Sequence, residues 1–420
     1  MYKLLIFANI FFLPLAGKSQ SVPVLHINPK QTYGGLISEH FSSLEYIPLE
    51  TTPESLFGDI ARLIITDSSF IVSDADTKSI LFFDVRGKYL RKIRSGRAVF
   101  PYVDYDANKK IVSACFINKY DIENGNSTKK KVMEFLRFSA TGIPVDTINV
   151  EVRNENLFEE INLEPGYTFR TNSCSFKDAA RDSTIYLLDI FRGTTLYKHL
   201  IPYNQQQKMG FCYFSGKISS LQKDYTTING VTYAATPVEH HIYKITKDTA
   251  IKMFEVVFPK DAAVPKDMLK IRDTRLLDSI RLIARPPGII YRITNIFFSG
   301  NKLFFKGTCP FYLSNISTST LQAYNFIYDT VSRKVVALER LTPDAKSFFL
   351  PVFDPRDGLM EKGILYNNDN FYSYVSSLDM FIARQKTKDK NPQYPPALQD
   401  YFNTQSRKSN PVIVKMKLKD

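Results

Sequence analysis

Residues 41–93 read FSSLEYIPLETTPESLFGDIARLIITDSSFIVSDADTKSILFFDVRGKYLRKI, a lone strand followed by a complete four-stranded unit. Residues 46–50 form a short apolar run closed by a Thr-Thr-Pro turn. After it, runs at 60–66, 70–74, 80–85 and 89–93 are each of strand length, rich in β-branched and aromatic residues, and bounded by Asp, Ser, Gly or Lys. Such a unit cannot bury both of its faces alone, so copies of it are sought along the chain.

The copies are present. ILFFDVRGKYLRKI (80–93) aligns without a gap on FLRFSATGIPVDTI (135–148), placing Leu136 on Leu81, Phe138 on Phe83, Gly142 on Gly87 and Ile148 on Ile93. FIYDTVSRKVVALERL (326–341) and HIYKITKDTAIKMFEVVF (241–258) repeat the same order of strand, polar turn and strand. Each reads as an antiparallel hairpin in the outer half of a blade. Inner halves are KKIVSACFI (109–117), STIYLLDI (183–190), GVTYAAT (230–236), NKLFFKGT (301–308) and NFYSYVSS (370–377). The later copies fall at 102–150, 167–216, 217–258, 290–341 and 357–419, near the ~40 to 50 residues expected per propeller blade. The fold class is therefore all-β, a six-bladed β-propeller occupying residues 21–420 as one domain.

Strand counting predicts how the ring closes. The run PVIVKMKLK (411–419) would be the third strand of the sixth blade, and the strand at 46–50 would pair with it as the fourth, removing two exposed edges. Ahead of that strand, SVPVLHINPK and a Gly34-Gly35 loop are read as a lead-in. Two stretches interrupt the pattern. PKDMLKIRDTRLLDSIRLIAR (265–285) has apolar residues at helical spacing and predicts one inserted amphipathic helix docked on the rim. The other, 386–410, with Pro392, Pro395 and Pro396 and a short helical piece ALQDYFNTQ, reads as an excursion from the last blade.

Composition fits this architecture. The 420 residues are 44% hydrophobic, with 32 Phe, 24 Tyr and no Trp, so the chain has ample material for a β core. Residues 1–20 combine Lys3, an apolar run at 4–16 and the exit Gly17-Lys18-Ser19-Gln20, the pattern of a secretory signal peptide. No Cys follows that run, and no later stretch is apolar over a membrane-spanning length, so an exported protein, periplasmic or secreted and not transmembrane, is expected. Cys115, Cys174, Cys212 and Cys309 lack metal or redox spacing and are read as buried thiols, with disulfides left open by export. Cleavage after residue 20 leaves a net charge of +11, and 381–420 holds nine Lys or Arg against three Asp. Such a basic face suits an anionic polymer, an anionic polysaccharide or lipid headgroups; export argues against nucleic acid, and a solvated lysine surface is the simpler reading.

At FSSLEYIPLETTPESLFGDI, at FIVSDADTKSILFFDVRGKYLRKI and at the ending NPVIVKMKLK, the chain resembles the exported six-bladed β-propeller proteins of Bacteroidetes, which are similar to NHL-repeat propellers. Members often follow the first blade with a Gly-Arg-Gly-Pro-Gly-Glu-Tyr loop. Here RSGRAVFPY (94–102) keeps Gly96, Arg97 and Tyr102 and lacks the other glycines and the glutamate. The resemblance implies fold and compartment and brings no activity with it.

Chemistry is sparse. No HExxH, GxSxG, Walker or GxGxxG pattern occurs, so no catalytic residue, cofactor or metal site is assigned. His240 and His241 are adjacent, and neighbours on a strand point to opposite faces, which opposes shared metal ligation. Asp74 and Asp76 could hold a cation, and a polar turn explains them equally well. His26, His40 and His199 are isolated. Propellers bind ligands where loops converge on the channel mouth, and Arg97 and Tyr102, on the connection between blades one and two, are the candidate lining residues, with a structural loop role the competing reading. The expected function is a non-catalytic propeller that binds a glycan, peptide or partner protein; the alternative is an NHL-like hydrolase or lyase with a metal in the channel.

Overall fold

A computed structural model describes residues 22–419, apart from 95–99, 118–130, 153–160, 173–183, 205–224, 277–288, 309–322, 355–363, most of 265–274 and a few single or paired positions. The leader at 1–20 and nearly all of the predicted helix at 265–285 lie outside the described residues, as do Arg97, Cys174, Cys212 and Cys309.

The chain starts with β1 (Val24–His26), β2 (Tyr33–Leu36), a single helical turn α1 (Ile37–His40) and β3 (Phe41–Pro48). Blade one is β4 (Arg62–Ile65), β5 (Ser69–Asp74), β6 (Ser79–Asp84) and β7 (Tyr89–Arg94). Blade two is β8 (Phe100–Asp106), β9 (Ile111–Ile117), β10 (Lys131–Ser139) and β11 (Pro144–Val152). Blade three is β12 (Ile161–Glu164), β13 (Tyr167–Thr171), β14 (Thr184–Arg192) and β15 (Thr195–Asn204). Blade four is β16 (Tyr225–Ile228), β17 (Val231–Ala235), β18 (His241–Ile245) and β19 (Ala250–Val257). Blade five is β20 (Arg292–Ser299), β21 (Lys302–Thr308), β22 (Ala323–Asp329) and β23 (Val335–Thr342). Blade six is β24 (Leu365–Asn367), β25 (Asn370–Val375), β26 (Val412–Leu418) and, as its fourth strand, β3. Among the described residues these make six antiparallel meanders, the expected propeller.

Closure follows the predicted pairing. β26 runs antiparallel to β3, with Val412 opposite Pro48 and Val414 opposite Tyr46. Packing closes the ring as well, because each apolar cluster fills the gap between two neighbouring blades. Ile71, Ile80 and Phe82 of blade one meet Val103, Val112 and Phe138 of blade two. On its other face, blade one packs Leu63, Phe70 and Phe83 against Ile47, Tyr372 and Ile413 of blade six. Between blades five and six, Phe304 stacks on Phe297 at 4.6 Å and on Phe371 at 4.7 Å. The two glycines aligned in the sequence do the same job. Gly87 (φ +83°) and Gly142 (φ +82°) turn their hairpins, and a Cβ there would sit 2.2 Å from the Pro48 carbonyl oxygen and 2.9 Å from the Phe82 ring, atoms of the preceding blade.

The lead-in differs from its sequence reading. β1 adds in parallel to the outer edge of β19, and β2 adds in parallel to the outer edge of β23, so blades four and five have five strands. Gly34 and Gly35 are strand residues, because a Cβ on Gly34 would fall 1.9 Å from the Arg340 carbonyl oxygen; the glycine marks close backbone approach where a loop is expected.

The excursion from blade six is helical. α2 (Ser377–Lys386) is capped by Ser376, whose Oγ accepts from the Asp379 amide at 3.1 Å. α3 (Pro396–Thr404) starts with proline in its first turn and buries Leu398, Tyr401 and Phe402 in the core of blades five and six. Several basic residues of this region act structurally. Arg384 donates to the Phe402 carbonyl at 2.8 Å and lies over its ring, Lys390 lies over Phe349, Arg407 donates to Gln385, and Lys415 pairs with Glu45 at 3.5 Å.

Candidate functional site

The first strand of each blade borders the ring axis. Strands β1 and β2 join at the last-strand edges of blades four and five, which must therefore lie outside, and the first strands β4 and β8 pack against each other across the blade boundary. Alternation along β8 then sorts its side chains. Val103 is fully buried among blades one and two, while Tyr102 and Asp104 share the opposite face.

Across from that face stands Arg62 of β4. Its Nη2 lies 3.1 Å from Asp104 Oδ1, and its guanidinium sits 5.5 Å from the Tyr102 ring centroid. Side-chain exposure of 30% for Arg62 and 55% for Asp104 leaves the group accessible. A cationic donor, an aromatic face and a carboxylate acceptor thus meet on the innermost strands of two adjacent blades. Tyr102, expected in a connecting loop at the channel mouth, stands within strand β8, paired with Cys115, which is itself buried. Its expected companion Arg97 lies outside the described residues. Sequence reading missed Arg62 and Asp104, since neither strand alone shows that they meet.

The other candidates have structural roles. Asp74 is fully buried and its carboxylate accepts from the amides of Gly58 (3.3 Å), Asp76 (3.1 Å) and Thr77 (3.0 Å) and from the Thr77 hydroxyl, the polar-turn arrangement. His240 is buried in a left-handed conformation with its ring edge-on to Phe258 at 5.0 Å. His241 lies between Glu239 (3.8 Å) and Glu255 (3.6 Å). His199 Nδ1 is 2.6 Å from Asp189, and His40 Nε2 donates to the Gly34 carbonyl at 2.7 Å. Among the described residues no three His, Cys, Asp or Glu side chains gather as a metal site, and no helix is long and apolar enough to cross a membrane.

Over 94% of this chain and 100% of the other, the fold is similar to that of a Bacteroides fragilis protein described as exported, with a TM-score of 0.55 at 12% identity. A member of the DUF4221 family from Bacteroides vulgatus is more distant, with a TM-score of 0.43, 9% identity and coverage of 90% and 98%. So is the virginiamycin B lyase of Staphylococcus aureus, with a TM-score of 0.32, 10% identity and coverage of 79% and 80%. No curated protein matches the chain. Residues 23–417 match a family model described as a domain of unknown function, and with nearly the whole propeller inside that match the chain belongs to the DUF4934 family.

Proposed function

We propose that this protein is an exported, non-catalytic, NHL-like binding propeller that takes a glycan, peptide or partner protein at the wall of its central channel. The observation that carries the reading is the group Arg62, Tyr102 and Asp104 on the innermost strands of blades one and two. Together they supply an aromatic face for stacking, a charged donor and a charged acceptor, the complement of a ligand with hydroxyls or amides on an apolar frame. A binding role also fits the use of Asp74, His199, His240 and His241 in turns and internal contacts, which leaves these groups holding the fold together.

Affinity electrophoresis through gels containing neutral or uronic-acid polysaccharides, with fluorescence titration of extended peptides alongside, tests it. The wild-type chain should be retained by at least one of these probes. Tyr102→Ala should weaken that binding about tenfold, ~1.4 kcal/mol, with an unchanged melting temperature. Retention by none of the probes, or equal retention of the variant, would overturn the reading.

A further inference from the structure

Blade three ends in a hairpin whose outer strand is bulged. Between β14 and β15, Phe191 stands opposite Leu196 and Ile190 opposite Lys198, so Tyr197 is the extra residue on β15. A bulge re-aims the side chain it carries. Tyr197 turns toward Tyr167, the first residue of β13, and the two rings meet edge to face with centroids 5.2 Å apart. Tyr167 stands opposite Arg192 of β14 and packs against the core between blades three and four, so this surface looks toward blade four. From blade four the turn between β18 and β19 reaches across. There Asp248 accepts the Tyr197 hydroxyl at 2.8 Å and pairs with Lys247.

Tyr197 is 45% exposed, yet its bulge, the Tyr167 ring and the Asp248 carboxylate hold it in one orientation. A surface ring fixed in this way has lost its rotamer freedom before any ligand arrives, so binding on it costs less entropy. Cations surround it. The Arg192 guanidinium and the Lys247 ammonium each lie 5.9 Å from the Tyr167 ring centroid. Hydrogen bonds from Lys247 and Tyr197, with the charges of Lys247 and Lys198 behind them, hold the Asp248 carboxyl below its ordinary value. Among the described side chains here, Arg192, Lys198 and Lys247 thus stand around one carboxylate, and the local surplus is positive. There is also room. The turn glycines Gly166 and Gly193 are joined by a bond from the Gly193 amide to the Gly166 carbonyl at 3.2 Å, and a Cβ on either would meet nothing within 4 Å. These turns form an open shelf beside the tyrosines.

We infer that this shelf is a binding site for an acidic oligosaccharide, with one pyranose ring lying on Tyr197 and its carboxylate turned toward Arg192 and Lys247. The C–H face of a pyranose is apolar and packs on an aromatic face, while the carboxylate answers the positive surplus. A run of acidic residues in a peptide would satisfy the charge and leave the ring bare. The shelf lies on blades three and four, away from Arg62 and Tyr102 in blades one and two, so the two readings stand or fall separately.

Calorimetric titration of trigalacturonate into Tyr102→Ala protein gives the test, because that background removes the stacking face of the channel wall. Binding should persist there. Adding Tyr197→Ala should weaken it roughly tenfold, and adding Arg192→Gln roughly threefold with a shallower dependence on salt, both with an unchanged melting temperature. Galactotriose carries the rings without the charge and triglutamate the charge without the rings, and each should bind about tenfold more weakly than trigalacturonate. No binding of trigalacturonate in the Tyr102→Ala background, an affinity indifferent to Tyr197→Ala, or equal binding of either control would each overturn the site.

Discussion

Replacing Asn410 with alanine is expected to destabilise the folded chain by about 3 kcal/mol, because one side chain holds the closure of the ring. Asn410 is fully buried at the entry to β26. Its Nδ2 donates to the carbonyls of Glu50 at 2.8 Å and Ser55 at 3.0 Å, and its Oδ1 accepts from the Phe57 amide at 3.3 Å. All three partners lie on the link from β3 to blade one, so the C-terminal strand is clasped to the segment leaving the N-terminal one. Alanine strands the Ser55 carbonyl and the Phe57 amide, while the Glu50 carbonyl keeps the Ser55 hydroxyl at 2.7 Å, and each such orphan costs ~1 to 3 kcal/mol. Equilibrium urea unfolding of wild type and variant at one pH measures the loss. A difference below about 0.5 kcal/mol would mean that strand pairing alone closes the ring.

The second large effect belongs to Glu339. Its Oε1 accepts from both the amide and the Nδ2 of Asn325 at 2.7 Å, so a side chain takes a place in the sheet ladder where backbone pairing of β22 with β23 ends. Its Oε2 is buried with no partner. Burial therefore raises this carboxyl above its ordinary value of 4.5, against the smaller opposing effects of Asn325 and Lys306. A folded-state value above the unfolded one contributes stability that is complete below the unfolded value and is lost as pH rises through the folded one. Wild-type stability should decline with pH above the ordinary carboxylate range. Glu339→Gln cannot ionise and keeps the acceptor, so its stability should be flat across the same window. Glu339→Ala orphans both Asn325 donors and cannot titrate either, so it should lie about 3 kcal/mol below Glu339→Gln at every pH in it. Chemical unfolding at a series of pH values separates the three, and parallel curves for wild type and Glu339→Gln would assign the pH dependence to other groups.

Much of the architecture was legible because hairpins of alternating aromatic and β-branched residues recur with a turn residue at a fixed place, as Gly87 and Gly142 show. Closure was legible because an unpaired strand at one end and a vacant place at the other imply each other. The fifth strands β1 and β2 escaped notice: they are three and four residues long, and the Gly34-Gly35 pair that admits β2 to the Arg340 backbone looks like a turn in one dimension. Helix α2 could have been found, since Ser376 followed three residues later by Asp379 is a helix-start signal. At the candidate site, one residue of the inner-wall group was reached and two were not, because Arg62 and Asp104 come together only when blades one and two pack. The burial of Lys306 was hidden for a related reason. A lysine within NKLFFKGT suggests a solvent-facing strand position, and only burial by blade six shows otherwise.

Strands β1, β2 and β3 come first in the chain yet belong to blades four, five and six, the last to be made. The N-terminal segment therefore cannot finish folding when it is made: it must wait, as unpaired strand, for partners more than 200 residues downstream, with Val24 meeting Glu255 and Pro48 meeting Val412. Pairings of such long range are slow to form and leave apolar edges open meanwhile. Closure of the ring thus waits on one late pairing, since β3 has no edge to join until β26 exists.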